Sequence, residues 1–168
     1  MTFLGPNTVT VLWCAGFAIV VLGVGGIMTD VGPWYRALRM PSWQPPAWLF
    51  GPVWTAIGIL SVWGAVVAWD AATDAQQGTI RVLFVVNGLL NVGWSLLFFK
   101  LRRPAWAVIE VVPLWLSVLA LVVVIYPIAP MAGLLLLPYL IWVAFAAFLN
   151  LTIVKLNTTF KQPAGKNQ

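Results

Sequence analysis

The chain has 168 residues, of which 62% are hydrophobic, 14% aromatic and only 8% charged, and its mean hydropathy is +0.97. Soluble domains run at about 45–50% apolar and about a quarter charged, so little room is left for a water-soluble globule. Nine Lys+Arg against four Asp+Glu give a net charge of +5, but the cations lie scattered between apolar runs and make no clustered basic face for nucleic acid. There is no histidine and one cysteine, Cys14, which excludes histidine-based acid–base catalysis, Cys/His zinc sites and an internal disulfide.

Five apolar stretches, at about 8–28, 50–69, 80–99, 105–125 and 132–154, are each long enough to cross a bilayer, which takes about 20 residues. They are continuous rather than alternating, so they read as helices and not as barrel strands. The sequence predicts an all-α membrane protein, a single five-helix domain over 1–157 with a polar tail at 158–168. The first stretch has no Lys or Arg ahead of it and no A-x-A site behind it, so it reads as a retained helix rather than a signal peptide. Pro52 and Pro104 fall near helix starts, Thr79 can cap the third helix, and Pro127 and Pro130 form a turn. The connection DAATDAQQGT carries no motif that points to function.

Arg36, Arg39, Lys100, Arg102, Arg103, Lys155, Lys161 and Lys166 fall in one set of alternate connections, and Arg81 alone in the other. The positive-inside rule then predicts an external N-terminus and a cytoplasmic C-terminus.

The segment PWYRALRMPSWQPPAWLFGPVW, within and just beyond the 29–49 loop, packs Trp34, Tyr35, Trp43, Trp48 and Trp54 among five prolines. Proline at this density blocks a regular helix and stiffens the chain, which predicts a rigid aromatic lid over the mouth of the bundle. An interfacial aromatic belt is the alternative. Within the spans, helical spacing places Trp54, Gly58, Ser61 and Ala65 on one face of helix two and Asn87, Asn91 and Trp94 on one face of helix three. The same spacing groups Trp106, Glu110, Pro113 and Ser117 on helix four, and Trp142, Ala146 and Asn150 on helix five. Polar side chains are unfavourable in hydrocarbon, so these faces are expected to line a tryptophan-walled cavity suited to a flat, largely apolar ligand. Asparagines and small residues can also serve only as glue between helices. Glu110 is the one acid within a predicted span and so a candidate for a ligand or gating role; near the cytoplasmic end of its helix, it can instead reach Arg102, Arg103 or the interface. Pro113 and Pro138 are expected to bend helices four and five. Cys14 reads as a small buried hydrophobe.

The strings PSWQPPAWLFGPVW, NVGWSLLFF and LPYLIWVAFAAFLN closely resemble the tryptophan-rich sensory protein/translocator protein family, TspO/MBR, with similarity from about Trp34 to Asn157. The resemblance implies an integral, multi-pass protein of a bacterial membrane, inner or outer left open, usually a homodimer. It also implies binding of porphyrins such as protoporphyrin IX, with no cofactor required, and in some members of cholesterol and synthetic ligands. Family pocket positions fall on Trp43, Trp54, Asn87, Asn91, Trp106, Glu110, Trp142 and Ala146, and Trp34 joins them from the aromatic segment. Tryptophans matching Trp54 and Trp142 are associated in bacterial relatives with light-dependent porphyrin breakdown. Gly58 stands where the family has a pocket tyrosine, which reshapes the cavity and weakens the case for that photochemistry. The region LNLTIVKLN lacks the tyrosine of a sterol-associated pattern. Three functions follow as expectations: a tetrapyrrole-binding sensor first, then a carrier of porphyrin or other amphipaths, then a photochemical enzyme.

Overall fold

A computed structural model describes residues 6–158. Among them there is no strand, and five helical passes are long and apolar enough to span a membrane. The first pass is α1 (Pro6–Met28). A short α2 (Pro33–Ala37) interrupts the following loop. The second pass is α3 (Ala47–Ala71), and the third is α4 (Asp74–Ser95), extended by one π-helical turn over Leu96–Lys100. The fourth is α5 (Pro104–Ile125), and the fifth is split into α6 (Pro130–Leu135) and α7 (Leu137–Thr158). The polar tail lies outside the described residues except for its first, Thr158.

Three local expectations are corrected. Thr79 does not cap the third helix, because the helix begins earlier, outside the apolar run. Thr73 is the cap: its backbone N–H donates to Gln76 Oε1 at 2.9 Å and its hydroxyl accepts from Gln76 N at 3.5 Å, a capping box hidden in the connection that seemed uninformative. Thr79 instead donates back to Ala75 O within the helix. Pro52 lies inside α3 rather than at its start. Pro138 does more than bend its helix: with no N–H to give and a ring that crowds the preceding turn, it accompanies a break at Leu136 that separates α6 from α7.

The core combines large aliphatic side chains with alanines that let the helices approach. Ala68, Ile80, Leu121, Ile125, Ala129, Ala132 and Leu136 form one buried cluster where α3, α4, α5 and α6 meet. On α5 the buried apolar positions are Ala107, Val111, Leu114, Val118, Leu121 and Ile125, a 4-3-4-3-4 stripe. Glycines set how closely α1 approaches. A Cβ at Gly88 would lie 2.7 Å from Phe17 Cζ, and one at Gly58 would lie 2.6 Å from Leu22 Cδ1. Two side chains of α1 therefore seat in notches that only glycine leaves open.

The α1–α3 connection is tied down at one end of the bundle. Gly32 N donates to Asp30 Oδ1, Gln44 Nε2 donates to the Tyr35 hydroxyl at 2.9 Å, and Arg39 and Asn157 exchange two hydrogen bonds of 3.0 Å each. Burial holds the Tyr35 phenol above its ordinary pKa, with the Gln44 bond offsetting part of the shift. Trp34 meets Phe98 edge-on at 6.2 Å, and Trp43 stacks on Phe148 at 5.2 Å. Arg102, in the left-handed region at φ 53°, lies over the Trp34 ring and pairs with Asp30 at 3.6 Å. That end carries Arg36, Arg39, Lys100, Arg102, Arg103 and Lys155, while Asp70, Asp74 and Arg81 lie toward the other end.

Candidate functional site

A cavity of about 510 Å³ lies between α1, α3 and α4. Its α3 wall is the stripe Trp54, Gly58, Ser61 and Ala65, the four residues that helical spacing put on one face. The α4 wall includes Phe84, Asn87, Gly88 and Asn91, and α1 supplies Trp13, Cys14, Phe17, Ala18, Val21 and Leu22. Trp69 and Arg81 stand toward the α3–α4 turn, and Tyr139 closes the deep side from α7. Apart from Arg81 the wall is uncharged, and most of it is aliphatic or aromatic.

The polar floor has a defined direction. Asn91 Nδ2 donates to the Tyr139 hydroxyl at 3.0 Å, and that hydroxyl donates to Asn87 Oδ1 at 3.1 Å. Asn87 Nδ2 donates to Ser117 Oγ at 2.9 Å, which passes its own hydrogen to Leu114 O at 2.7 Å. All four side chains are buried. One relay thus joins α4, α5 and α7 and satisfies groups that would each be costly in a low-dielectric interior. Above it the Trp54 ring meets Tyr139 edge-on at 5.9 Å. Ser61 Oγ, also in the cavity wall, is buried without a hydrogen-bond partner.

Of the nine candidates named from the sequence, Trp54, Asn87 and Asn91 line this cavity, and the other six do not. Trp34 and Trp43 belong to the packed connection, so the aromatic loop covers the end of the bundle near α7 and contributes no wall to the cavity. Trp106 points outward and is 57% exposed, because it lies one position, about 100°, off the buried stripe of α5. Glu110 sits at the edge of that stripe. Both of its carboxylate oxygens are buried without a partner, and a Cβ on Gly93 would lie 3.7 Å from Oε1. The alternative of a reach to Arg102 or Arg103 is not realised: among the described residues Glu110 forms no ion pair, and Arg102 pairs with Asp30. Trp142 packs between Phe50 and Phe145 at 5.5 and 5.3 Å, with its indole N–H buried and unpartnered; Ala146 is half-buried on the same helix. Asn150, 1% exposed, faces the first turn of α5, where its amide, turned to match its neighbours, donates to Pro104 O and accepts from Val108 N. Its role is to join two helices.

Sequence reasoning missed the α1 wall, Tyr139 and Arg81. Tyr139 stood in view as an isolated polar group in an apolar run. The α1 residues gave no signal, because every face of that helix is apolar.

Comparison with known proteins agrees with this architecture. Residues 10–156 match the TspO/MBR family model. The chain is 36% identical over 159 residues to the tryptophan-rich protein TspO of Chlorobaculum tepidum, covering 92% of this chain and 99% of that one. It is 34% identical to the human translocator protein over 70% of each chain. It is 31% identical to the tryptophan-rich sensory protein of Cereibacter sphaeroides, over 79% of this chain and 82% of the other. With five apolar passes and this match over most of its length, the chain is a multi-pass integral membrane protein that belongs to the TspO/MBR family.

Proposed function

We propose that this protein is a membrane sensor that binds protoporphyrin IX-like tetrapyrroles and related flat apolar ligands in the cavity between α1, α3 and α4. The cavity itself carries the reading. Its volume lies within the ~300–1,000 Å³ range of small-molecule sites, and an apolar wall with a few fixed polar groups is the usual character of such sites. Trp54 supplies an aromatic surface against which a planar ring can stack, and Asn87, Asn91 and Tyr139 supply polar groups at its edge. For Trp34, Trp43, Trp106, Glu110, Trp142 and Ala146, family resemblance alone supports a part in binding. The charge asymmetry between the two ends supports an external N-terminus and a cytoplasmic C-terminus, and family habit supports a homodimer. The names of relatives, a sensory protein and translocator proteins, fit a regulatory or carrier role for a bound small molecule.

The test is a titration of protoporphyrin IX into the full chain in lipid nanodiscs, followed by tryptophan fluorescence. Saturable quenching is expected, with affinity falling at least tenfold in Trp54→Ala. Quenching that never saturates, or that is insensitive to Trp54→Ala, overturns the reading.

A further inference from the structure

Arg81 is the single charged residue of the cavity wall. It projects from the second turn of α4, where a long side chain can carry its charge to the membrane surface while its stem stays in the apolar wall. Its guanidinium lies over the Trp69 ring, 5.2 Å from the centroid, and Trp69 also lines the cavity. The Trp69 backbone is itself held, since its carbonyl accepts from Gln77 Nε2 at 3.0 Å. Asp70 and Asp74 lie toward the same end, yet among the described residues neither forms an ion pair with Arg81. The Trp69 ring backs the guanidinium, and among the described residues none of its N–H groups has a hydrogen-bond or ion-pair partner, which leaves donors for a carboxylate.

The opposite end of the cavity is the relay at Asn87, Asn91 and Tyr139. Arg81 and Asn91 are ten residues apart on one helix, or about 15 Å along its axis. Between them the wall is uncharged and mostly apolar, with the Ser61 hydroxyl as an isolated polar group. The site is therefore polarised along its length, with a cation at the mouth and neutral amides at the floor.

Building on the tetrapyrrole-cavity reading, we propose that Arg81 recognises anions at the mouth, and that the preferred ligand is a flat apolar acid. Its carboxylate meets Arg81 and its ring body lies inward against Trp54. This assigns the ligand's chemical class and its orientation: acid group toward the α3–α4 turn, apolar edge toward the relay.

The experiment pairs acids with their neutral esters on the full chain in zwitterionic nanodiscs, with empty nanodiscs as the partition reference. The probes are protoporphyrin IX with its dimethyl ester, and pyrenebutyric acid with its methyl ester. The wild type should bind each acid about five- to tenfold tighter than its ester at low ionic strength, and the preference should shrink with added salt. Arg81→Gln should abolish the preference by weakening the acids far more than the esters, while an unchanged midpoint of detergent unfolding reports an intact fold. Arg81→Lys should keep part of it, because an ammonium restores the charge but not the planar fork. A wild type without acid preference, or a preference that survives Arg81→Gln, overturns the proposal. If only the pyrene pair binds, and with Arg81-dependent preference, the tetrapyrrole reading falls and the acid site stands. If acids and esters of both pairs bind equally, the cavity stands and the role of Arg81 falls. Saturable binding by neither acid overturns both.

Discussion

Replacing Tyr139 with phenylalanine isolates the relay from everything else the residue does. The ring keeps its volume, its burial and its edge-on contact with Trp54, and only the hydroxyl is lost. That hydroxyl takes part in two interhelical bonds, of 3.0 and 3.1 Å, from and to α4. Such bonds in membrane bundles average about 0.6 kcal/mol and reach about 1.7, so two of them come to roughly 1–3 kcal/mol. The burden falls unequally. Asn87 keeps its bond to Ser117, whereas Asn91 Nδ2 loses the one partner it has here, so the loss should lie in the upper half of that range. The assay is equilibrium unfolding in mixed micelles by denaturing detergent, comparing Tyr139→Phe, Asn91→Ala and the double variant. The single changes should be strongly non-additive, because each removes the same bond. A loss below about 0.3 kcal/mol for Tyr139→Phe, or simple additivity in the cycle, refutes the relay as a structural element.

Two glycines whose added Cβ would meet a neighbour within 3 Å should respond differently to alanine. At Gly133 a Cβ meets Tyr126 Cα and Cβ at 2.9 Å, and backbone cannot give way, so Gly133→Ala should destabilise by at least about 2 kcal/mol. At Gly58 the obstacle is the tip of Leu22, which can rotate, and alanine's higher helix propensity, worth about 1 kcal/mol, offsets the crowding; the net change should stay within about 1 kcal/mol in the same unfolding assay. Asn157→Ala removes both bonds between α7 and the backbone of Arg39. Hydrogen exchange across residues 36–46 should then accelerate severalfold while exchange across α4 and α5 is unchanged; equal acceleration everywhere would show global destabilisation instead.

The five passes were legible because hydrocarbon imposes one rule, a continuous apolar run, and every pass obeys it. Their ends were less so. The first turns of α4 are polar and project beyond the apolar run, so Thr79 looked like the cap and the Thr73–Gln76 box went unread. The α3 wall was legible because Trp54, Gly58, Ser61 and Ala65 combine small and polar groups on one stripe. On α5 the same logic chose the stripe of Trp106, Glu110, Pro113 and Ser117; Ser117 is buried in the relay, but the other three lie one position away from buried Ala107, Val111 and Leu114. In a soluble helix polarity marks the outside, but α5 is apolar on every face apart from Glu110 and Ser117. Its inward face is set instead by the packing of Ala107, Val111, Leu114 and Val118 against neighbours that a lone sequence does not reveal. The same uniformity hid the α1 side of the cavity. Gly58 and Gly88, where Leu22 and Phe17 settle, were the available clue, and a notch becomes meaningful only when its occupant is known.

The most direct test of the central claim is photoaffinity labelling with a diazirine-bearing porphyrin, followed by peptide mapping of the adducts. Labels should fall on residues 9–22 of α1, 54–69 of α3 and 80–91 of α4, with competition by unlabelled protoporphyrin IX. Competable labels confined to residues 33–50 and 142–148, the aromatic cluster beneath the connecting loop, would contradict it.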